Sequence, residues 1–495
     1  MSESRPAAVI ILAAGEGKRM KSRTPKVLHA LCGRSMLGHA LAAARDLDPE
    51  RLVVVVGHAR DQVAPEVTRL APDATIVVQE QQLGTGHAVR MVTEATGATK
   101  GVVVVTYADM PLLRSQTLQD LASAHQADGN AVTVLTAKVA DPSGYGRIVR
   151  DHSGAFLRIV EDADAAPGEL SIQEINSGCY AFEGELLADA IKRVATNNAQ
   201  GQEYLTDVVD ILRTDGHSIG SVVAADSGEI QGVNDRVQLA AARRELNDRL
   251  LRRHMVNGVT VVDPATTWVD VTVSIGQDAE IRPNTQLAGD THIAEGAVVG
   301  PNCVLEDTRV GPDAELINVV SRQASVGARA TLGPNVYLRP DTVIGDSAHI
   351  GCHVELKKST VGAGAKVPHL TYVGDATIGA GANIGAGTIF ANYDGQHKWP
   401  TTVGENAFVG SNTVLIAPVT VHDGAYTAAG SAICEDVEAG DLGIARGRQH
   451  NSDGWVLRHR DGSPSATAAR RARSAALTQG GDPPEPPVQE VHRGE

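Results

Sequence analysis

The sequence is poor in aromatic residues, in paired cysteines and in basic charge. Phe, Trp and Tyr make up 3% of its 495 residues, so its cores must be filled by aliphatic and small side chains. The five cysteines, Cys32, Cys179, Cys303, Cys352 and Cys434, stand singly with no C-x-x-C pair. That counts against a disulfide framework or a zinc site and leaves reduced thiols, each expected as a small buried hydrophobe. Lys and Arg number 44 against 59 Asp and Glu, a formal charge of −15. Such a balance argues against nucleic acid as a partner and against a polybasic membrane anchor. No apolar run reaches membrane-spanning length, and the first one, AAVII at 7–11, is too short for the apolar region of a signal peptide. The expectation is a cytoplasmic enzyme acting on small molecules.

What is present changes character along the chain, and its length calls for more than one domain. Over residues 1–233, the continuous aliphatic runs AAVIIL, RLVVVVG, TIVVQ and GVVVVTY alternate with helical patterns. Runs apolar at every position fit parallel strands covered on both faces, which predicts a doubly wound α/β, Rossmann-like domain. Residues 234–258 read as one linker helix, with Asn234 and Asp235 at its start, Leu239, Ala242, Leu246 and Leu250 on one stripe, and Asn257-Gly258 as its stop. From 259 to 458 the aliphatic positions recur every six residues: Ile275, Ile281, Leu287, Ile293 and Val299, then Leu332, Leu338, Ile344, Ile350 and Leu356. Six is the hexapeptide period of a parallel β-helix, whose narrow interior suits a sequence with few aromatics. Some steps are five, at Val361 and Ile378, and FANYDGQHKWPTTVG interrupts the repeat. The coil is expected over about 259–445, and 459–495, polar and Pro-rich at the end, is expected to be disordered.

Two places carry chemistry. The stretch LAAGEGKRMKSRTPK at 12–26 follows the first strand. It is neither a dinucleotide fingerprint nor a P-loop, but it offers backbone N–H groups from Leu12 to Gly17, with Arg19 and Lys26 behind them to meet phosphate. Gln79, Gln82, Gly84 and Thr85 fall just past the third strand and Asp109 just past the fourth. Ligands of open α/β sheets bind beyond those carboxyl ends, so Asp109 stands where a magnesium ion bridging phosphates needs a hard oxygen. In the solenoid, YLRPDT, VELKKST, KVPHLTY and IFANYDG gather polar residues that a passive coil does not need. His369 is the natural general base, and Arg339 and Lys357 are placed to hold a sugar phosphate.

LAAGEGKRM…PK, QLGTGHA, YADMP, GYGRI, IVED, EINSG, NNAQGQEYLTD and GVNDR, in this order, resemble the sugar-nucleotide pyrophosphorylases. Joined to a hexapeptide β-helix, they resemble the bacterial bifunctional N-acetylglucosamine-1-phosphate uridyltransferase/glucosamine-1-phosphate acetyltransferases, over residues 6 to about 458. The resemblance implies a left-handed β-helix, UTP and acetyl-CoA as co-substrates, Mg2+, and a homotrimer with the acetyl site shared between subunits. It implies that Leu12, Ala13, Ala14, Gly15, Lys26, Gln79, Gly84 and Thr85 hold the nucleotide, that Arg19 and Lys26 meet its phosphates, and that Asp109 and Asn234 bind the metal. Gly146, Glu161, Asn176 and Thr206, with Asn234, are implied around the N-acetylglucosamine phosphate. Arg339, Lys357, Tyr372, Asn383 and Asn392 are implied at glucosamine-1-phosphate, and Asn392, Tyr393, Ser411, Ala429 and Arg446 along acetyl-CoA. Two positions depart from the usual pattern. Ala108 replaces Gly and sets a methyl beside the metal ligand, and Asp235 replaces Asn and adds negative charge there. Two other readings stay open: a single-activity pyrophosphorylase whose coil only oligomerises, and an inactive scaffolding relative.

Overall fold

A computed structural model describes residues 5–196 and 201–478. The four aliphatic runs form parallel strands: β1 (Ala8–Ala13), β2 (Leu52–Val56), β3 (Thr75–Val78) and β4 (Val102–Tyr107). With β5 (Val132–Lys138), the hairpin β6 (Arg147–Arg150) and β7 (Phe156–Val160), β8 (Glu174–Glu183) and β9 (Ile219–Val223), they make a nine-stranded sheet. Its order is β9-β5-β8-β4-β1-β2-β3, with the hairpin paired to β8. β8 runs antiparallel to both β4 and β5.

The continuous apolar runs have a direct cause. In β1, Val9, Ile11 and Ala13 enter one core while Ala8, Ile10 and Leu12 enter the other. Helices α1 (Met36–Arg45), α2 (Arg60–Leu70) and α4 (Ser115–Asp128) cover the first face; α3 (Thr85–Thr96), α5 (Gly184–Ala190) and α6 (Thr206–Thr214) cover the second. Each Val, Ile or Leu side chain buried this way contributes about 1.5–3 kcal/mol.

The linker helix α7 (Arg236–Val256) begins where the Asp235 side chain accepts the N–H groups of Val237 and Gln238. Its predicted stripe is buried at Leu239, Ala242 and Leu250, with Leu246 packed alongside. Asn247 is buried too: its amide donates to Thr267 O (2.8 Å) and accepts from Val269 N (3.0 Å), pinning the helix to the first coil of the next domain.

That domain is a left-handed β-helix of three parallel sheets, with 11, 10 and 9 strands, running from Thr260–Val261 to Leu442–Gly443. Strands pair with the third strand along, so Ile281 sits on Val299 and Ile275 on Ile293, eighteen residues or three hexapeptides apart. The five-residue steps shorten a coil by one residue without losing register: Val361 still pairs with Ile378. The interruption at 391–400 lengthens one coil, so that Ile384 pairs with Val409. The interior is aliphatic throughout, apart from Phe390, small residues and hydroxyls. Several buried threonines place their hydroxyls on the carbonyl three residues back, as Thr388 does on Gly385 O (2.6 Å) and Thr413 on Gly410 O (2.6 Å), whereas the buried Thr401 hydroxyl has no partner.

Two expectations need correction. In the tail expected to be disordered from residue 459, α9 (Pro464–Thr478) forms, preceded by α8 (Trp455–His459) at the end of the span expected for the β-helix domain. The α9 segment has Leu477 as its one large apolar residue, but it is rich in Ala and Arg, opens with Pro464 and is capped by Ser463 Oγ accepting from Ala466 N (3.1 Å). Residues 479–495 lie outside the described residues. Among the cysteines, Cys32, Cys179 and Cys303 are buried as expected, whereas Cys352 is half-buried and Cys434 exposed, because both sit at solenoid positions that face outward. No helix among the described residues is long and apolar enough to cross a membrane.

Candidate functional sites

The first site lies beyond the carboxyl ends of β1, β3 and β4. A cleft of about 260 Å³ is lined by all eight residues expected to hold the nucleotide: Leu12, Ala13, Ala14, Gly15, Lys26, Gln79, Gly84 and Thr85. A Cβ built on Gly15 meets nothing within 4 Å, so the open space there is left for a ligand rather than filled by the chain. Gln79 is buried and donates to Gly84 O (3.0 Å). Gly84 has φ +116, and a Cβ there would lie 2.4 Å from Glu203 O. The 203–205 segment is thereby clamped on this loop, with Gly86 N donating to Glu203 O (2.8 Å), Glu203 N to Leu83 O (2.8 Å) and Leu205 N to Thr85 Oγ1 (3.0 Å).

At the floor of the cleft Lys26 Nζ donates to Asp109 Oδ2 at 2.5 Å and to Asn234 Oδ1 at 3.1 Å. Two hard oxygens from chain positions far apart thus converge on one cationic centre, a donor set that suits a hard divalent metal completed by phosphate oxygens or water. Arg19 differs: it is exposed on the short turn Lys18–Met20 and does not line the cleft. The two departures point away from the open cleft. The Ala108 methyl is fully buried in the core beneath the sheet, away from the cleft, and Asp235 spends its carboxylate on the cap of α7.

A second lobe of about 330 Å³ shares Thr85, Tyr107, Asp109 and Gln202 with the first, and Gly146, Glu161, Asn176 and Thr206 are brought together in its lining. Thr206 Oγ1 donates to Glu161 Oε1 (3.1 Å), and Asn176 Nδ2 donates to Tyr180 OH (2.7 Å). Burial raises the pKa of the Glu161 carboxyl, the Thr206 hydrogen bond opposing it. Asn234 stands with Lys26 rather than in this lobe. Sequence reasoning passed over Tyr107 and Gln202, which join the two lobes, although both lie inside motifs already singled out. Burial pushes the Tyr107 phenol up, so it stays a neutral donor.

The second site is set by the register of the coil. Ile350, Val367, Ile384, Val409, Thr427 and Gly443 succeed one another in one sheet. Two residues beyond each come Cys352, His369, Ala386, Ser411, Ala429 and Ala445. Corner hydrogen bonds join this column: Leu370 N to Cys352 O (3.0 Å), Gly387 N to His369 O (3.2 Å), Asn412 N to Ala386 O (2.7 Å) and Gly430 N to Ser411 O (2.8 Å). His369, Ser411 and Ala429 therefore lie on one edge, with coils about 4.8 Å apart, and Arg446 follows the end of the column. His369 is exposed, its Nδ1 3.9 Å from Cys352 Sγ.

On the adjoining sheet Arg339, Lys357 and Tyr372 are gathered by pairing, Leu338 on Leu356 and Glu355 on Tyr372. Arg339 pairs with Glu355 (3.0 Å) and Lys357 with Asp375 (3.5 Å); the Asn392 amide donates to Asp375 Oδ2 (2.5 Å). Asn383 is not brought to this cluster within one chain: it pairs with Lys366 and Phe408 on the sheet before the His369 corner. Tyr393 is exposed, donating to Gly395 O (2.6 Å). Lys398, on the loop at 391–400, was not anticipated. Its ammonium is held below its ordinary pKa by its contact with Lys357, with Arg339 contributing, which adds it to the basic cluster.

An α/β nucleotidyltransferase domain with a phosphate-ready cleft, carried through one helix onto a hexapeptide coil with its own polar array, defines a two-domain transferase. Residues 9–169 match the MobA-like NTP transferase domain and residues 272–307 the bacterial transferase hexapeptide of six repeats. The chain is 60% identical over 474 residues to the Bifunctional protein GlmU of Streptomyces avermitilis, covering 95% of this chain and 98% of that one. It is 57% identical to that of Thermobifida fusca (96% and 99% covered) and 49% identical to that of Corynebacterium diphtheriae (97% and 100% covered). The chain belongs to the bifunctional GlmU family. It is a bifunctional enzyme of UDP-N-acetylglucosamine synthesis, acetylating glucosamine-1-phosphate and uridylylating the product, with acetyl-CoA and UTP as co-substrates and a divalent metal for nucleotidyl transfer.

Proposed function

We propose that residues 1–233 house uridylyl transfer and 259–458 acetyl transfer, with 234–258 as the connecting helix. Asp109 and Asn234 hold Mg2+, which when bound neutralises phosphate charge. Lys26 meets the UTP phosphates from within the cleft and Arg19 from the exposed turn Lys18–Met20 outside it; the Leu12–Gly15 turn, Gln79, Gly84 and Thr85 seat the nucleotide. Gly146, Glu161, Asn176 and Thr206 orient N-acetylglucosamine-1-phosphate so that its phosphate oxygen attacks the α-phosphorus in line and pyrophosphate leaves, with no covalent enzyme intermediate. In the coil Arg339, Lys357, Tyr372, Asn383 and Asn392 hold glucosamine-1-phosphate. His369, uncharged, takes the proton as the amine attacks the thioester carbonyl and the C–S bond breaks. Asn392, Tyr393, Ser411, Ala429 and Arg446 line acetyl-CoA. The enzyme acts in the cytoplasm as a homotrimer, with the exposed His369 edge and the remote Asn383 completed across subunits.

The observation that carries this reading is the pair of hydrogen bonds from Lys26 to Asp109 and Asn234, inside a cleft lined by every expected nucleotide residue. Mass-spectrometric product analysis with glucosamine-1-phosphate, acetyl-CoA, UTP and magnesium tests it. Asp109→Ala is expected to accumulate N-acetylglucosamine-1-phosphate. His369→Ala is expected to stall unless that intermediate is supplied. Full product from either variant without supplement refutes the role assigned to that residue.

A further inference from the structure

Asp375 occupies a corner of the β-helix immediately after the strand Tyr372–Gly374, in a left-handed backbone conformation with φ 50°. Its main chain ties three levels of the solenoid together: its N–H donates to Lys357 O (3.0 Å), and its carbonyl accepts from Thr401 N (3.2 Å), where the inserted loop returns. Its side chain does the same at a finer scale. The carboxylate is only 12% exposed. Oδ2 accepts from Asn392 Nδ2 at 2.5 Å, one coil later, and pairs with Lys357 Nζ at 3.5 Å, one coil earlier; Oδ1 lies 3.9 Å from Lys358 Nζ.

The two residues it grips through Oδ2 are both assigned above to the sugar phosphate, so a role for Asp375 rests on that reading of the acetyl site. A lysine ammonium on a four-carbon stem has many rotamers to lose, and an Asn amide has two orientations. A nearly buried carboxylate that holds both removes that freedom before the substrate arrives. Asn392 also begins the loop at 391–400, which closes on itself by Trp399 N donating to Asn392 O (2.8 Å). A displaced Asn392 therefore displaces the loop, and with it Lys398.

We propose that Asp375 is the positioning residue of the acetyl site: its Oδ2 presets the Lys357 ammonium and the Asn392 amide, from adjacent coils, in the arrangement that receives the phosphorylated amino sugar. A purely structural role is separable from this one. The left-handed corner suits Asn as well as Asp, so Asp375→Asn keeps the backbone and one acceptor oxygen while removing the charge and exchanging the other oxygen for an NH2 donor.

The test is steady-state kinetics of full-length wild type, Asp375→Asn and Asp375→Ala in both half-reactions, with melting curves and calorimetric titration of glucosamine-1-phosphate and of inorganic phosphate. Asp375→Asn is expected to raise KM for glucosamine-1-phosphate about tenfold, with kcat within about threefold and only a smaller rise, through Asn392 alone, in KM for acetyl-CoA, since binding and not chemistry is lost. Its melting curve and its uridylyl transfer are expected to match wild type, while Asp375→Ala adds a lower melting temperature. Affinity for inorganic phosphate falls in parallel. Unchanged or tighter binding of both ligands to Asp375→Asn overturns the proposal and leaves the carboxylate as a counter-ion. An equal rise in KM for both acetyl-transfer substrates overturns it as well, by pointing to general distortion. If instead His369→Ala retains wild-type acetyl transfer, the acetyl-site reading falls first, a result distinguishable from failure at Asp375 alone.

Discussion

In the N-terminal cleft, Leu12, Gln79, Asp109 and Thr206 come from four separate turns of the chain and meet only because β1, β3 and β4 end at one edge of a sheet and α6 closes over it. In the β-helix, His369, Ser411 and Ala429 meet because each coil repeats the one before, so that position along the chain converts directly into position along an edge. The first site is enclosed within one chain, floored by an ion pair and clamped by a second loop. The second lies open on the surface. A site assembled from distant loops brings its own walls; a site laid along a solenoid has few of its own, and the proposed trimer is what would supply them.

The contrast can be broken most severely at the groups closest to the chemistry. His369→Ala is expected to cut acetyl transfer by about 10³-fold, within the range for losing a general base, and to leave uridylyl transfer untouched; separate assays of the two half-reactions check this. Lys26→Met removes the cation that Asp109 and Asn234 share, and should lower uridylyl transfer by about 10²-fold with acetyl transfer unchanged. A smaller effect is expected at Gly84→Ala, where the methyl meets Glu203 O and φ is +116. Strain of about 1–3 kcal/mol should loosen the 203–205 clamp, raise KM for UTP and lower the melting temperature of the N-terminal domain without moving that of the coil.

The smallest effect is a pH dependence. Burial, with Asp210 and Glu161 adding to it, raises the Asp207 carboxyl from 3.8 to about 6. Between those values the folded state binds the proton more tightly than the unfolded one, so stability contributed here is present at low pH and is lost as pH rises from about 4 to about 6. Asp207→Asn should flatten that part of the stability curve and leave the β-helix transition alone, as melting at pH 4, 5, 6 and 7 would reveal. An identical slope in the variant would show that Asp207 is solvated.

The two regions also differed in how readily they could be read from sequence. The solenoid was legible because its signal is arithmetic: a six-residue aliphatic period gives the strands, and three periods give the partner, so the Ile281–Val299 pairing follows from spacing. The four parallel strands were legible because burial on both faces removes any alternation. The antiparallel β8 was not, since its direction is set by the connections around it and not by its composition. Single residues that act by contact were the hardest. Asn247 reads as an ordinary polar residue on a charged helix, yet it is wholly buried between the two domains. Asp375 and Lys398 acquire meaning only when adjacent coils place them beside Lys357. The residues expected around the nucleotide could be named only because several motifs coincided, and they converge on one cleft; Arg19 stands outside it.

The central claim is that one chain houses two separate sites working in sequence. Its most direct test is to mix two purified full-length variants, Asp109→Ala and His369→Ala, each expected to be blocked at one step, with glucosamine-1-phosphate, acetyl-CoA, UTP and magnesium. Neither alone is expected to make UDP-N-acetylglucosamine, whereas the mixture is expected to make it after a lag while N-acetylglucosamine-1-phosphate builds up. A mixture as inactive as its components, although each retains its own half-reaction, would contradict the claim that the two sites work independently.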